Sequence, residues 1–419
     1  MRVLMLSWEY PPKSVGGLAR HVYDLTKELA EQGEEIFLVT SAAEEAPHEE
    51  TINKVKVFRV NTLNLPSQDF VTWVHHLNFS LVETAIRLNE KYGPFDIVHA
   101  HDWLVAFAAR TIKHAYNIPL VATIHATEYG RNQGLHNDLQ RYISDVEWWL
   151  TYEAWQVIVC SRYMRSELQR IFQVPENKIQ VVPNGVDISS FKFVDPNFKR
   201  RDYAANHEKI VLFVGRLVPE KGLQVLLDAV PKILHYCPEA KFIIAGTGPS
   251  GEYLKQKVHM INVSSKVLFT GYVDDNTRNG LYQNAHVAVF PSTYEPFGIV
   301  ALEGMAARTP VVVTDTGGFR EVVEHGVDGL KAYPGNPNSL ADNIIHLLKS
   351  PETAQEIKKK AYDKVEKHFS WQKIAIKTRQ VYQIIREEAH HIAGEKALNE
   401  GDNEKLSLLN AFTARLKLR

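Results

Sequence analysis

The chain has 419 residues, 45% of them hydrophobic and 23% charged, which describes a globular protein too long for one ordinary core and points to two domains of roughly 200 residues each. A formal charge of −1 gives no general electrostatic reason to bind nucleic acid or an anionic membrane, and the only cysteines, Cys160 and Cys237, exclude a disulfide framework and offer no zinc-finger spacing. No apolar run reaches the roughly 18 residues of a membrane span, and the first strand begins after a single arginine with no signal-peptide pattern, so a reducing cytoplasm is the expected location.

Short β-rich runs alternate with longer helical patterns, as in parallel sheets crossed by helices, so the expected fold class is α/β. In the first half, strands are expected at residues 3–7, 36–40, 55–60, 96–100, 120–124, 157–160 and 179–182. The first strand runs out through Ser7-Trp8-Glu9-Tyr10-Pro11-Pro12 to Gly16-Gly17, after which Leu18, Val22, Leu25 and Leu29 define an amphipathic helix. Free N–H groups at a helix start attract anions and hydroxyls, and paired glycines let a ligand approach the backbone, although a Gly-Gly turn alone is as often structural. His99, His101 and Asp102 gather at another strand end, with Asp102 placed to N-cap the following helix, and His125 ends the strand 120–124. Their spacing offers no metal set. Between 127 and 149, Arg131, Asn132, His136, Asn137, Arg141, Trp148 and Trp149 either present hydrogen bonds and stacking faces to a sugar or form helix surface and core.

Periodicity fails after Pro183-Asn184-Gly185-Val186-Asp187 until about residue 207, which marks a linker. The expected division is a first domain at 1–187, a second at 188–369, a helix at 370–389 carrying Ile374, Val381, Ile384 and Ile385 on one apolar face, and a tail at 390–419. Strands of the second half are expected at 210–214, 241–245, 267–270, 286–290 and 311–314. Each half is then a doubly wound domain, in which ligands bind beyond the carboxyl ends of the strands. Three loops follow those strands: Gly215-Arg216-Leu217-Val218-Pro219-Glu220-Lys221-Gly222, then Gly246-Thr247-Gly248-Pro249, then Thr316-Gly317-Gly318. A further turn carries Glu295-Pro296-Phe297-Gly298-Ile299, leading into a helix that places Glu303 more than one turn inside. Glu295 and Glu303 can therefore meet different parts of one extended ligand. A guanidinium and an ammonium at 216 and 221 suit an anionic group, the first as a planar fork and the second as a compact charge.

The stretch from Glu295 to Glu303 resembles the E-x7-E signature of the retaining glycosyltransferases that include glycogen synthase, starch synthase and sucrose-phosphate synthase. Gly215 to Gly222 resembles the same family's G-R-x4-K-G diphosphate clamp. Over residues 1–389 the resemblance implies the GT-B arrangement of two Rossmann-like domains facing across a cleft, with residues 370–389 crossing back onto the first. It implies catalytic roles for Arg216, Lys221, Glu295 and His125, the last lying against the donor sugar. Gly16, Gly17, Gly248, Tyr272, Phe297, Gly298, Ile299 and Glu303 would bind the nucleoside-diphosphate sugar. Glu9, Arg20, Asp102, Arg131 and Asn132 would border the acceptor, and neither a metal nor a cofactor is implied.

The acceptor is less determined. Bacterial glycogen synthases commonly carry K-T-G-G-L-A-D in the first loop, where this chain has Ser14-Val15-Gly16-Gly17-Leu18-Ala19-Arg20. The lysine and aspartate are absent, and Arg20 favours an anionic group on donor or acceptor. Transfer of glucose from ADP-glucose or UDP-glucose to an α-glucan is the expected reaction, with synthesis of a small sugar such as maltose 1-phosphate, or a non-catalytic nucleotide-sugar sensor, as alternatives. A glycosidase would use two carboxylates but leaves Arg216, Lys221 and the glycine-lined turns without a task.

Overall fold

The computed structural model describes residues 1–389 apart from 64, 68 and 194, so the tail expected at 390–419 lies outside the described residues. The first domain carries β1 (Arg2–Leu6), β2 (Glu35–Ser41), β3 (Glu49–Ile52), β4 (Val55–Val60), β5 (Ile97–His101), β6 (Leu120–Ile124), β7 (Gln156–Val159) and β8 (Ile179–Val181). They form one sheet in the order β3-β4-β2-β1-β5-β6-β7-β8, parallel except for the antiparallel pair β3–β4. The second domain carries β9 (Lys209–Val214), β10 (Ala240–Ala245), β11 (Val267–Gly271), β12 (Val287–Phe290), β13 (Val311–Thr314) and β14 (Leu330–Ala332). These form a fully parallel sheet in the order β11-β10-β9-β12-β13-β14.

Every expected strand is present with its ends within one residue of the expected bounds. The reason is that central parallel strands are covered on both faces and read as unbroken apolar runs, as in β1, whose Val3 to Leu6 are all inaccessible. β3 and β14 are additional. Both lie at sheet edges, and β3 alternates exposed and half-buried residues, so it carries no apolar run to find.

The chain order reverses direction across β1 and β5 in the first sheet and across β9 and β12 in the second, which opens a crevice at the carboxyl ends of both. Helix 371–389 returns to the first domain, where Trp371, Ile374, Ala375, Val381, Tyr382 and Ile385 join the core formed with Val3, Met5 and Val22. Ile384, expected on that apolar face, is instead 43% exposed. The buried stripe follows 374, 378, 381 and 385, and Tyr382 fills the place beside it. The two chain crossings between the domains lie side by side, joined by a Val186 N–H to Phe369 carbonyl bond of 2.8 Å and a parallel bridge from Val186 to Ser370. Among the described residues no helix is long and apolar enough to cross a membrane.

Candidate active site at the interdomain cleft

The loops leaving β9 and β12, neighbours in the second sheet, are stacked on each other. Thr293 N–H donates to the Glu220 carbonyl at 2.8 Å, and Gly222 sits at φ 68° where an added Cβ would lie 1.9 Å from the Pro291 carbonyl oxygen. Only glycine satisfies both the left-handed backbone and that close approach. The consequence is a fixed Lys221: its Nζ meets Glu295 Oε2 at 2.8 Å, and the same oxygen accepts from Ser292 Oγ at 3.1 Å. Glu295 is only 6% exposed, whereas the Arg216 side chain stays about half exposed and, among the described residues, is paired with Glu220, at 3.5 Å.

Thr316-Gly317-Gly318 lies beneath this turn. Gly318 N–H donates to the Glu295 carbonyl at 2.7 Å, so this third glycine-bearing loop supports the carboxylate's backbone. Gly298, at φ 104°, starts the helix Ile299–Ala306, with Phe297 buried behind it. Inside that helix Glu303 is buried, accepts from the Tyr282 hydroxyl at 3.1 Å and lies 3.7 Å from Arg278. Gly248 packs against the Leu217 backbone, which joins the loops after β9 and β10, and Tyr272 stands 76% exposed at the rim.

Across the cleft, Glu9 accepts the Val15 N–H at 2.5 Å and so ties down the loop that leads to Gly16 and Gly17. Burial pushes the Glu9 carboxyl up to about 7, opposed by the N–H groups of Val15 and Gly16 and, from the second domain, by the Arg216 guanidinium. Arg216 is thus within electrostatic reach of the first domain. Gly17 does the converse, since a Cβ there would touch Ile299 at 3.6 Å.

His125 stands beyond β6 with its backbone N–H held by Asp102 Oδ1 at 2.8 Å. Burial, and then the neighbouring Arg131, lower its imidazole to about 3, so it is neutral at physiological pH and can position or polarise but not supply a cation. Asp102 was expected to cap the next helix. It does not: it adopts φ 59°, makes no side-chain cap, and spends its carboxylate on His125, where burial raises it to about 6. Arg131 lies within electrostatic reach of Asp102, Glu147 and Glu128, while Asn132 donates to the Glu128 carbonyl and Oε1, each at 2.9 Å. Arg20 is not a free cation: it bonds Asp24 at 2.8 Å within its own helix and Asp275 of the second domain at 2.7 Å.

Three contacts that carry no local sequence signature hold the cleft together. Tyr294, next to Glu295, inserts into the first domain, where its hydroxyl donates to Glu167 at 2.9 Å and accepts from Thr127 N–H at 3.3 Å. Ser161 Oγ donates to the Pro296 carbonyl at 2.6 Å. Glu321 accepts the N–H groups of Arg162 and Tyr163, at 3.1 and 2.9 Å, and so caps the helix Arg162–Phe172 from the opposite domain.

Comparison with known proteins agrees with this architecture. The sequence matches the family described as "Glycosyl transferases group 1" over residues 195–364 and "Glycosyltransferase Family 4" over residues 15–190. It is 39% identical over 397 residues to an uncharacterized glycosyltransferase of Methanocaldococcus jannaschii, spanning 92% of this chain and 99% of the relative. A glycogen synthase of Mycobacterium tuberculosis is 34% identical over 397 residues, spanning 91% and 94%. The sucrose-phosphate synthase from Thermosynechococcus elongatus superposes with a TM-score of 0.81 at 25% identity, covering 92% of this chain and 98% of that one. With these matches the chain belongs to the glycosyl transferases group 1 family of GT-B enzymes.

Proposed function

We propose that the protein is a retaining, metal-independent glycosyltransferase that moves a glucosyl unit from ADP-glucose or UDP-glucose to an α-glucan in the cytoplasm. The observation that carries this reading is the set formed by Arg216, Lys221 and Glu295: two cations on one loop, one paired to a buried carboxylate and the other half exposed and within electrostatic reach of Glu9 in the opposite domain. As the glycosidic bond breaks, negative charge grows on the diphosphate, and preorganised cations in a water-poor cleft stabilise it without reorganising. Glu295 orients the sugar hydroxyls, Glu303 the ribose, and neutral His125 the sugar near its anomeric carbon. For retention, the acceptor hydroxyl attacks on the face from which the diphosphate leaves and hands its proton to the phosphate. The engagement of Arg20 by Asp24 and Asp275 favours a neutral glucan acceptor over a phosphorylated sugar.

The test is product analysis with both donors against glycogen, glucose and glucose 1-phosphate. Elongated α-glucan with release of nucleoside diphosphate is expected. A phosphorylated disaccharide would overturn the acceptor assignment, and no donor-dependent diphosphate release with any acceptor would overturn catalysis.

A further inference from the structure

Four histidines from three segments meet at the floor of the first domain: His21 in the helix Gly17–Glu31, His99 and His101 on β5, and His125 beyond β6. His99 is fully satisfied, with Nδ1 on the Tyr382 hydroxyl at 2.6 Å and Nε2 on Thr123 Oγ1 at 2.7 Å. His21 and His101 are not. His21 Nδ1 meets Asn184 Oδ1 at 2.7 Å, and because an amide oxygen only accepts, the proton sits on Nδ1 and Nε2 presents its lone pair. That Nε2 is buried and has no partner among the described residues, and the same holds for His101 Nε2. His101 Nδ1 and His125 Nε2 lie 3.1 Å apart. A buried nitrogen left without a partner is costly, and the bare lone pair on His21 Nε2 calls for a reason.

The geometry points to a site for a late first-row divalent cation, Zn²⁺ above all, held by His21, His101 and His125. One donor nitrogen from each of the three lies within 4.8 Å of the others. Around a tetrahedral ion with Zn–N of about 2.0–2.1 Å, donors are spaced about 3.3 Å apart. The His101–His125 pair already has that spacing, and the His21 ring closes the set with a shift on the order of 1 Å. Ring centroid separations of 4.5, 5.4 and 5.5 Å bracket the roughly 5 Å that three imidazoles adopt around one such ion. Asn184 supplies the outer hydrogen bond that metal-binding histidines use to fix tautomer and ring orientation. An all-nitrogen set selects Zn²⁺, Ni²⁺ or Cu²⁺ over Mg²⁺ or Ca²⁺. His21 and His101 are buried and His125 is partly accessible, so the ion enters from the cleft and its fourth position opens there.

Occupancy takes the His125 lone pair, so the ion inhibits transfer. This second half rests on the donor-side role proposed for His125; the binding itself does not. The experiment uses the full chain stripped with a chelator and titrated with ZnCl2 and, separately, CoCl2. Expected are one Zn²⁺ per chain by equilibrium dialysis, resistance to excess Mg²⁺, a tetrahedral Co²⁺ visible spectrum, and shifts of three histidine side chains in ¹⁵N spectra. His21→Phe should abolish uptake, and Asn184→Ala should weaken it about tenfold to hundredfold. Absence of saturable uptake, an octahedral Co²⁺ spectrum, or uptake unchanged in either variant overturns the site. Should a variant fail to fold, the cobalt and ¹⁵N spectra of the unaltered chain decide. One-to-one binding that leaves diphosphate release unchanged sustains the site and refutes the inhibition.

Discussion

Replacing Gly130 by alanine tests whether Tyr294 rivets the two domains together. Gly130 lies in the short helix Glu128–Asn132, and a Cβ there would fall 2.4 Å from the Tyr294 ring. The ring cannot simply lean away, because its hydroxyl donates to Glu167 at 2.9 Å and accepts from Thr127 N–H at 3.3 Å. Keeping it in place costs about 1–3 kcal/mol of overpacking. Expelling it forfeits a hydrogen bond to a buried carboxylate worth about 1.5–3 kcal/mol. Either route gives a destabilisation of about 2–3 kcal/mol, and since Glu295 follows Tyr294 directly, turnover should fall with it. The discriminating step is the double-mutant cycle. In a Tyr294→Ala background the collision is gone, and Gly130→Ala should become neutral or stabilising by up to about 1 kcal/mol through helix propensity. Urea unfolding of the four proteins measures the coupling. An equal cost for Gly130→Ala in both backgrounds would refute the reasoning.

Arg216→Ala should lower turnover on the order of 10²-fold or more while leaving the unfolding midpoint nearly unchanged, because the side chain is half exposed and, among the described residues, is paired with Glu220; near-normal turnover removes it from the diphosphate grip. Gly16→Ala should fold normally, since a Cβ there meets nothing within 4 Å, yet lose kcat/KM on the order of tenfold if the open space is where the ligand lies; unchanged kinetics would place the ligand elsewhere. Glu9 gives a pH test. Its folded pKa, about 7, lies above the ordinary glutamate value of 4.5, so its contribution to stability is greatest below pH 4.5 and is lost as pH rises through about 7. The whole shift corresponds to about 3 kcal/mol, and wild type should therefore lose that much relative to Glu9→Gln between pH 4.5 and 8 in urea titrations, a parallel pH dependence of the two counting against a buried carboxylate.

The parts of this protein legible in the sequence are those whose physics is local. Buried parallel strands announce themselves as apolar runs, and the loops after β9 and β12 carry their glycines, cations and carboxylates within a few residues of one another. β3 was hidden because it is a polar edge strand joined to β4 through Asn53 and Lys54, both at positive φ, without the Asn-Gly pair that usually marks such a hairpin. The clamping contacts from Tyr294 to Glu167, from Glu321 to Arg162 and from Arg20 to Asp275 each join residues more than 100 positions apart, and nothing in either partner's neighbourhood forecasts the other. The histidine cluster is of the same kind: His99 and His101 could be read as a pair, but only the fold brings His21 and His125 to them.

Because the last described helix completes the core of the first domain, the amino-terminal half has its own sheet but not the whole of its core. Expressed as residues 1–187 it would leave bare the apolar bed of Trp371, Ile374 and Tyr382, including Gly185, whose missing side chain makes room for the Trp371 ring. The paired crossings at Val186 and Phe369 also restrict how the lobes can move. Two covalent tethers bonded to each other define a line, so relative motion reduces to swivelling about that line, and the Arg20–Asp275 pair sits near the axis, since Asp24, which Arg20 also grips, lines one cavity with Val186 and Ser370.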